Sequence, residues 1–180
     1  MDRIKHWPAK LFQLLNMNNS TKKIILNLFG IGNIKYAPGT FASLFTCLIY
    51  ILLIIFKINF FIPLALFFIL IPFSIFLINN NLHLFKKIDS SEIVIDEYIG
   101  QSIPIFFGYY YLKFSDPSST QSNFIFVIMT SFFLFRFFDI LKIYPIKILD
   151  NIQNGYGVIF DDIVAGIYSA LVLFFLLVII

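Results

Sequence analysis

Charged residues are scarce in this sequence, and their scarcity excludes most kinds of water-soluble protein. Asp, Glu, Lys and Arg make up 13% of the 180 residues, whereas hydrophobic residues make up 59%. A soluble domain would need about twice that share of charged residues to cover its surface. The single cysteine excludes a disulfide scaffold, and the lack of blocks of like charge excludes a disordered or nucleic-acid-binding tail. The composition therefore predicts a membrane protein.

The first 23 residues are basic, but they contain neither a continuous apolar core nor a small-residue cleavage site. We therefore do not expect a cleavable signal peptide. Trp7 follows Arg3 and Lys5 and precedes several leucines, which suits a helix lying on an anionic membrane surface. A solvated tail fits the same residues equally well. We treat 1–23 as a basic amphipathic N-terminal segment, followed by a membrane domain over 24–180.

Five apolar runs are candidates for helices that cross a hydrocarbon core of about 30 Å. The runs are Phe41–Phe56, Phe60–Ile78, Tyr98–Leu112, Phe124–Phe138 and Ile163–Ile180. The third and fourth runs are shorter, and they could either span the membrane or pack inside the bundle behind the longer helices. The sequence therefore predicts an all-α, multi-pass membrane bundle of about five hydrophobic helices, with four spans as the alternative.

Basic residues predict the orientation, because loops retained in the cytoplasm accumulate Lys and Arg. With a cytoplasmic N-terminus, eleven basic residues lie on the inner side and two on the outer side. The inner residues are Arg3, Lys5, Lys10, Lys22, Lys23, Lys35, Lys86, Lys87, Arg136, Lys142 and Lys147, and the outer residues are Lys57 and Lys113. We therefore expect the N-terminus to be cytoplasmic.

Most acidic residues fall in the two long inner loops that this topology defines. Eight of the ten Asp and Glu residues lie there. Five of them border predicted spans: Asp96, Glu97, Asp139, Asp161 and Asp162. Charged groups at the membrane boundary are costly to desolvate and normally have partners or a function. The sequence therefore predicts that distant segments bring carboxylates to one face of the membrane, at one depth.

The loop before the first run predicts a helix start that binds an anion. A nucleotide-binding fingerprint is a poor interpretation, because the glycine spacing is wrong and no strand precedes it. A Pro-Gly pair breaks the chain, Thr40 could cap the helix, and Ser43 lies one turn later. Free N–H groups at this helix start would suit a phosphate, to which Lys35 could add charge. A simple capped turn is the alternative.

Two acidic doublets, Asp96–Glu97 and Asp161–Asp162, precede the third and fifth runs. Neighbouring helical positions point about 100° apart, so one carboxylate can bind a metal while the other supports it. Gly100 and Gly166 would permit close helix packing. Together the doublets could hold one or two hard cations, and Mg²⁺ fits because it also keeps waters and phosphate oxygens as ligands. Either doublet alone could simply stabilise a helix start.

Arg136, Asp139 and Lys142 recur every three residues, which places them on one side of a helix. They could form an ordinary ladder of ion pairs. Arg136, however, interrupts an apolar run, where a charge without a function is expensive. Arg and Lys beside a carboxylate also supply a forked donor, a point charge and a metal ligand for a phosphate. We therefore favour a functional role for this segment.

Several phosphatase chemistries lack the residues that they need. His6 and His83 have no catalytic context, Cys47 is not followed by the arginine of a thiolate phosphatase loop, and no Asp-x-Asp-x-Thr segment occurs. The Asp-Gly-x-x-Ala-Arg pattern of the lipid alcohol transferases is also missing. The remaining chemistry is metal-assisted hydrolysis, in which a cation binds the phosphate and activates water.

In this order, the four polar segments resemble those of the phosphatidylglycerophosphatase A family of bacterial membrane enzymes. The matching segments are Ala-Pro-Gly-Thr with Ser43, Ile-Asp-Glu-x-x-Gly-Gln, Phe-Arg-x-Phe-Asp-Ile-x-Lys-x-x-Pro-Ile and Gly-x-x-x-Asp-Asp-x-x-Ala-Gly. The resemblance covers roughly residues 24–180. It implies an all-helical, Mg²⁺-dependent enzyme that removes the terminal phosphate of phosphatidylglycerophosphate. It also implies a bacterial inner-membrane protein whose active site faces the cytoplasm.

The resemblance and the residues together suggest a role for each polar side chain. We hypothesise that Asp96, Glu97, Asp161 and Asp162 form the metal shell and that Asp139 binds metal or acts as a base. The expected substrate-binding residues are Lys35, Thr40, Ser43, Arg136 and Lys142. The carboxylate that activates water is left open, and so is a covalent aspartyl-phosphate.

The expected partner is the substrate lipid in the membrane, with no nucleic acid and no obligate protein partner. Two other functions compete with the enzymatic one. A small channel or transporter with a charged cytoplasmic vestibule would carry ionisable residues near mid-membrane or repeated halves. The predicted spans instead have Leu, Ile and Phe at their centres. A structural membrane subunit would not need the four polar segments.

Overall fold

The computed structural model describes residues 18–81, 91–115 and 118–179, and within these ranges it has helices and no strand. A short 3₁₀ helix, Ile31–Asn33, follows the first α-helix. The α-helices are α1 (Asn19–Leu26), α2 (Pro38–Ile55), α3 (Phe61–Asn81), α4 (Ile95–Ser115), α5 (Gln121–Leu141), α6 (Ile146–Asp150) and α7 (Gly155–Ile179). The prediction of an all-α bundle is confirmed.

Four helices are long and apolar enough to cross a membrane, namely α2, α3, α5 and α7. They contain 18 to 25 residues, which corresponds to lengths of about 27–38 Å. The short run Phe124–Phe138 is therefore part of a full-length candidate span. Large apolar side chains such as Leu48, Phe68, Phe133 and Leu171 are exposed on these helices, as expected for contact with lipid.

The fifth long helix, α4, is not among the candidate spans. It contacts α2, α3, α5 and α7, and so it occupies the centre of the bundle. A helix surrounded by protein can carry polar residues that lipid would disfavour, provided that they have partners. The Ser102 hydroxyl, for example, donates to the Tyr98 carbonyl at 2.6 Å and accepts from the Tyr50 hydroxyl at 3.0 Å. Of the two alternatives for the run Tyr98–Leu112, the structure therefore shows a helix packed inside the bundle.

Two glycines set the contact between α4 and α7. A Cβ atom on Gly166 would lie 2.4 Å from the Gly100 carbonyl oxygen, and a Cβ atom on Gly100 would lie 2.6 Å from the Asp162 carbonyl oxygen. No larger residue fits at either position without a shift of one helix. The predicted close approach at Gly100 and Gly166 is therefore confirmed, and it brings the beginning of α4 against the third and fourth turns of α7.

Two helix starts differ from the sequence-based expectation. Helix α7 begins at Gly155, not at Ile163, because the Asn154 side chain accepts hydrogen bonds from the Tyr156 and Gly157 amides at 2.9 and 3.1 Å. The second acidic doublet therefore lies within the helix, not at its start. The residue that precedes α2 is Ala37, in a left-handed conformation with φ +48°, so Thr40 is inside the helix and does not cap it.

The orientation of the helices brings five helix ends together. The amide of Gly155, at the start of α7, donates to the Asn79 side chain near the end of α3 at 2.7 Å. The starts of α2 and α4 meet the end of α5 at this same end of the bundle, where Gly39 lies beside Glu97 and Arg136. The predicted surface segment containing Trp7 lies outside the described residues, as do Lys86 and Lys87.

Candidate active site

Three carboxylates from two helices converge at the centre of the site. Asp96 and Glu97 belong to the first turn of α4, and Asp162 belongs to α7. One oxygen of each carboxylate lies within 4.8 Å of the other two. Asp162 is only 4% exposed, and Asp96 and Glu97 are half-buried. The sequence prediction that the two acidic doublets meet is therefore confirmed in the structure.

These carboxylates open into a cavity of about 100 Å³, which we call the carboxylate cavity. Every acidic residue that the sequence analysis selected lines it. The polar residues of its wall are Ser91, Asp96, Glu97, Asp139, Lys142, Asp150, Asp161 and Asp162, and the apolar ones are Ile93 and Val158. Acids from α4, α5, α6 and α7 thus share one small space with Lys142.

Lys142 is the cation of this cavity. Its ammonium group lies 3.3 Å from an Asp161 carboxylate oxygen, and it also donates a hydrogen bond to Asp150. Partial burial lowers the pKa of Lys142, but the hydrogen bond to Asp150 and the charges of both carboxylates outweigh it. The pKa of Lys142 therefore lies above its usual range, and the side chain is a permanent cation.

Arg136 and Asp139 form an ion pair on α5, with 2.7 Å between the Nη1 and Oδ2 atoms. Both side chains are about 15% exposed. Lys142 does not extend this pair into the ladder that was the alternative interpretation of the three-residue spacing. Helix α5 ends at Leu141, and Lys142 follows in a left-handed conformation with φ +44°. Lys142 instead pairs with Asp150 and Asp161.

The start of α2 abuts the carboxylates and Arg136. A Cβ atom on Gly39 would lie 2.1 Å from the Glu97 Oε1 atom and 3.2 Å from the Arg136 Nη1 atom. The first turn of α2 has no side-chain cap, so its N–H groups remain donors at the positive end of the helix dipole. A phosphate group in this position would meet both backbone donors and a guanidinium group.

The predicted substrate-binding residues do not all reach the carboxylate cavity. Thr40 lies in the first turn of α2 and is half-buried, one residue after Gly39. Ser43 is fully buried, and its hydroxyl has no hydrogen-bond partner among the described residues. Lys35 is exposed, 5.6 Å above the Tyr36 ring, and it does not line the cavity. Among the five, Lys142 is the one that lines it.

Sequence reasoning missed Asp150 as a site residue. Asp150 ends the short helix α6, which packs against α7 and thereby returns the chain to the cavity. The available signal was its place among the acids of the inner loop, eight residues after Lys142. Its pairing with Lys142 depends on the fold of that loop, which no local pattern predicts.

The donor set fits a hard divalent cation. Carboxylate oxygens are the ligands that Mg²⁺ and Ca²⁺ prefer, at about 2.0–2.6 Å from the ion. Three such oxygens within 4.8 Å of one another can therefore bind one ion with small adjustments. The Glu97 Oε2 atom is also buried without a hydrogen-bond partner among the described residues, and a buried carboxylate oxygen normally has one. Asp96, Glu97 and Asp162 are thus the residues best placed to bind a metal.

Comparisons with known proteins identify the family to which the chain is similar. The family model of phosphatidylglycerophosphatase A matches residues 24–177. A phosphatidylglycerophosphatase A of Haemophilus influenzae is 36% identical over 168 residues, covering 87% of this chain and 94% of that protein. A putative phosphatidylinositol-3-phosphatase of Bacteroides thetaiotaomicron is 32% identical over 78% of this chain and 84% of that protein. No solved structure matches this chain significantly.

Proposed function

This chain belongs to the phosphatidylglycerophosphatase A family and is a membrane lipid phosphatase, and from that premise we propose the reaction and its mechanism. The proposed substrate is phosphatidylglycerophosphate, and the products are phosphatidylglycerol and phosphate. Family membership favours this activity over the channel and structural-subunit alternatives. The observation that carries the mechanism is the convergence of Asp96, Glu97 and Asp162 from two helices on one point.

We propose that Asp96, Glu97 and Asp162 bind Mg²⁺, with Asp161 beside them. When bound, the ion would supply charge neutralisation at the phosphate and a water molecule of lowered pKa. Asp161 lies 3.3 Å from the Lys142 ammonium, and this contact orients the lysine side chain within the cavity. The carboxylates also repel one another across 4.8 Å or less, and this repulsion favours cation binding.

Arg136, Lys142 and the start of α2 are the proposed phosphate ligands. The phosphate would lie between the carboxylate cavity and Gly39, where Arg136 Nη1 already approaches the α2 backbone. Thr40 follows Gly39 directly in α2. Lys35, in the preceding loop, and Ser43, one turn later in the helix, would support the phosphate site from farther away. Asp139, paired with Arg136 at 2.7 Å, is positioned to hold the guanidinium group or to accept a proton from the attacking water.

Hydrolysis then proceeds by attack of a water oxygen on phosphorus. The bond between phosphorus and the terminal glycerol oxygen breaks, the glycerol oxygen takes up a proton, and phosphate leaves the cavity. All of the residues involved lie at one end of the bundle. The positive-inside pattern of the sequence supports the proposal that this end faces the cytoplasm of a bacterial inner membrane. There the lipid tails stay in the bilayer while the phosphate reaches the headgroup plane.

The experiment that tests this proposal compares lipid substrates with and without metal. Purified protein in detergent is assayed for phosphate release from phosphatidylglycerophosphate, phosphatidylinositol 3-phosphate and phosphatidate, each with Mg²⁺ or with a chelator. We expect Mg²⁺-dependent release that is fastest from phosphatidylglycerophosphate. Faster release from phosphatidylinositol 3-phosphate would reassign the substrate, and release that survives the chelator would overturn the metal-assisted mechanism.

Two variants connect the activity with the site. Asp96→Asn and Asp162→Asn should each abolish phosphate release and leave membrane insertion intact. Glu92→Gln is the matched control, because Glu92 pairs with Lys23 at 2.6 Å and does not line the carboxylate cavity. Wild-type rates in both site variants would remove these residues from the mechanism.

A further inference from the structure

A second cavity, of about 400 Å³, lies at the end of the bundle opposite the carboxylate cavity. It forms where α2 ends, α3 begins, α4 ends and α5 begins. The helices that connect the two ends have 18 to 21 residues, or about 27–32 Å of helix. The two cavities are therefore separated by roughly the thickness of the hydrocarbon core. We call this second space the lysine cavity.

Two lysines from separate parts of the chain line the lysine cavity, namely Lys57 after α2 and Lys113 near the end of α4. They are the same two basic residues that the positive-inside analysis placed on the outer side. Among the described residues, no acidic residue lines the cavity and neither lysine forms a salt bridge. Two ammonium groups on one wall attract an anion.

The rest of the wall is partly polar and partly aromatic. Asn59 and Gln121 supply amide groups. The rings of Phe60 and Tyr109 stack with 3.6 Å between their centroids, and the Lys113 ammonium lies 5.8 Å from the Tyr109 ring. The Tyr110 hydroxyl is buried without a hydrogen-bond partner among the described residues. A buried hydroxyl normally has a partner, so a ligand oxygen would satisfy it.

The lysine cavity also borders the lipid-facing surface. Phe61 lines it and is 67% exposed, and the neighbouring Phe56 is 70% exposed. A ligand in this place would thus have a charged site beside an apolar surface. That combination matches an amphiphile with an anionic head and hydrocarbon tails, and it does not match a small polar ion alone.

We propose that the lysine cavity binds the phosphodiester headgroup of an anionic phospholipid from the half of the bilayer opposite the carboxylate cavity. The phosphate oxygens accept hydrogen bonds from Lys57, Lys113 and Tyr110, while the acyl chains follow the exposed Phe56 and Phe61. A zwitterionic headgroup carries no net negative charge, so the two lysines favour an anionic headgroup over it. The proposal is independent of the reaction at the carboxylate cavity.

The test is lipid binding to the delipidated full-length protein in detergent, measured by native mass spectrometry. The probes are phosphatidylserine and phosphatidylcholine with identical acyl chains, and neither carries a phosphomonoester. We expect phosphatidylserine to bind more tightly. Lys57→Gln and Lys113→Gln should each weaken it about fivefold, the usual effect of one lysine near an anionic lipid. Lys147→Gln, an exposed lysine of α6, is the matched control and should change nothing.

Three results would overturn the proposal. The first is equal affinity of the wild type for the two lipids, and the second is an unchanged preference in the Lys57→Gln/Lys113→Gln double variant. The third is displacement of phosphatidylserine by millimolar inorganic phosphate, which would make free phosphate the ligand. Lys57→Arg and Lys113→Arg retain the charge and should retain the preference. Wild-type lipid phosphatase rates in all of the variants verify that each one is folded.

Discussion

Gly166 packs so closely on Gly100 that a Cβ atom added to Gly166 would lie 2.4 Å from the Gly100 carbonyl oxygen. This backbone contact fixes the distance between α4 and α7, and these two helices carry the three converging carboxylates. Gly100 is one turn from Asp96, and Gly166 is one turn from Asp162. The position of the three converging carboxylates therefore depends on two residues that have no side chain.

Gly166→Val tests this dependence. The added side chain would push α4 and α7 apart, so we expect a loss of stability of roughly 1–3 kcal/mol, the usual cost of overpacking, and a loss of phosphate release of more than tenfold. The measurements are the melting temperature in detergent and the initial rate. Leu171→Ala, on the exposed side of the same helix, is the control and should keep its rate. An active Gly166→Val protein would show that the helix contact does not position the acids.

Gly39→Ala should damage the site without unfolding the bundle. A methyl group at Gly39 would lie 2.1 Å from the Glu97 Oε1 atom, and the carboxylate would have to move away. We expect phosphate release to fall at least tenfold while the melting temperature changes by a few degrees at most. A proportional loss of activity and folded protein would instead indicate a purely structural position.

Arg136→Lys separates charge from geometry at the proposed phosphate site. Lysine retains the positive charge but lacks the planar fork that pairs with Asp139 and faces the start of α2. We expect kcat/KM to fall by about 10- to 100-fold, equivalent to roughly 1.4–2.7 kcal/mol of transition-state stabilisation. Arg136→Gln should lose more activity than Arg136→Lys. Equal losses of activity in the two variants would show that the positive charge at position 136 does not contribute to activity.

Lys142→Met removes the cation of the carboxylate cavity. Asp150 and Asp161 would lose their shared partner, so both stability and kcat/KM should decrease. Lys142→Arg restores a cation and should recover part of both. The measurement is the rate of each variant, normalised to the amount of folded protein from size-exclusion chromatography. A higher rate in Lys142→Arg than in Lys142→Met would support an electrostatic role for Lys142. Identical rates in Lys142→Met and Lys142→Arg would contradict an electrostatic role.

Metal removal should destabilise the wild type more than the Asp162→Asn variant. Without a cation, mutual repulsion among Asp96, Glu97 and Asp162 opposes folding, and the substitution removes one of the three charges. We expect Mg²⁺ at 100 times its dissociation constant to stabilise the wild type by about 2.7 kcal/mol, and to stabilise Asp162→Asn far less. Melting curves with Mg²⁺ and with chelator measure this difference. Equal shifts in the two proteins would exclude these carboxylates as the metal site.

The sequence by itself determined the class of fold and most of the acids that line the carboxylate cavity, although not Asp150. The apolar runs that it predicted became five long helices because burial of apolar surface in lipid depends on composition, which is a local property. The acids at the ends of those runs met at one end of the bundle because consecutive helices alternate in direction. The helix α4 could be identified as a hydrophobic run, but its central position could not, since that depends on its neighbours.

Only the tertiary structure decided which polar side chains touch. The three-residue spacing predicted that Lys142 shares one side of a helix with Asp139, whereas α5 ends at Leu141 and Lys142 pairs with Asp150 and Asp161. Thr40 was expected to cap α2 but lies inside that helix, whereas the Asn154 side chain caps the start of α7. Such contacts span many residues of chain, and their energies depend on distances of a few ångströms. Distances of that kind are set by how helices pack, and no single stretch of sequence contains them.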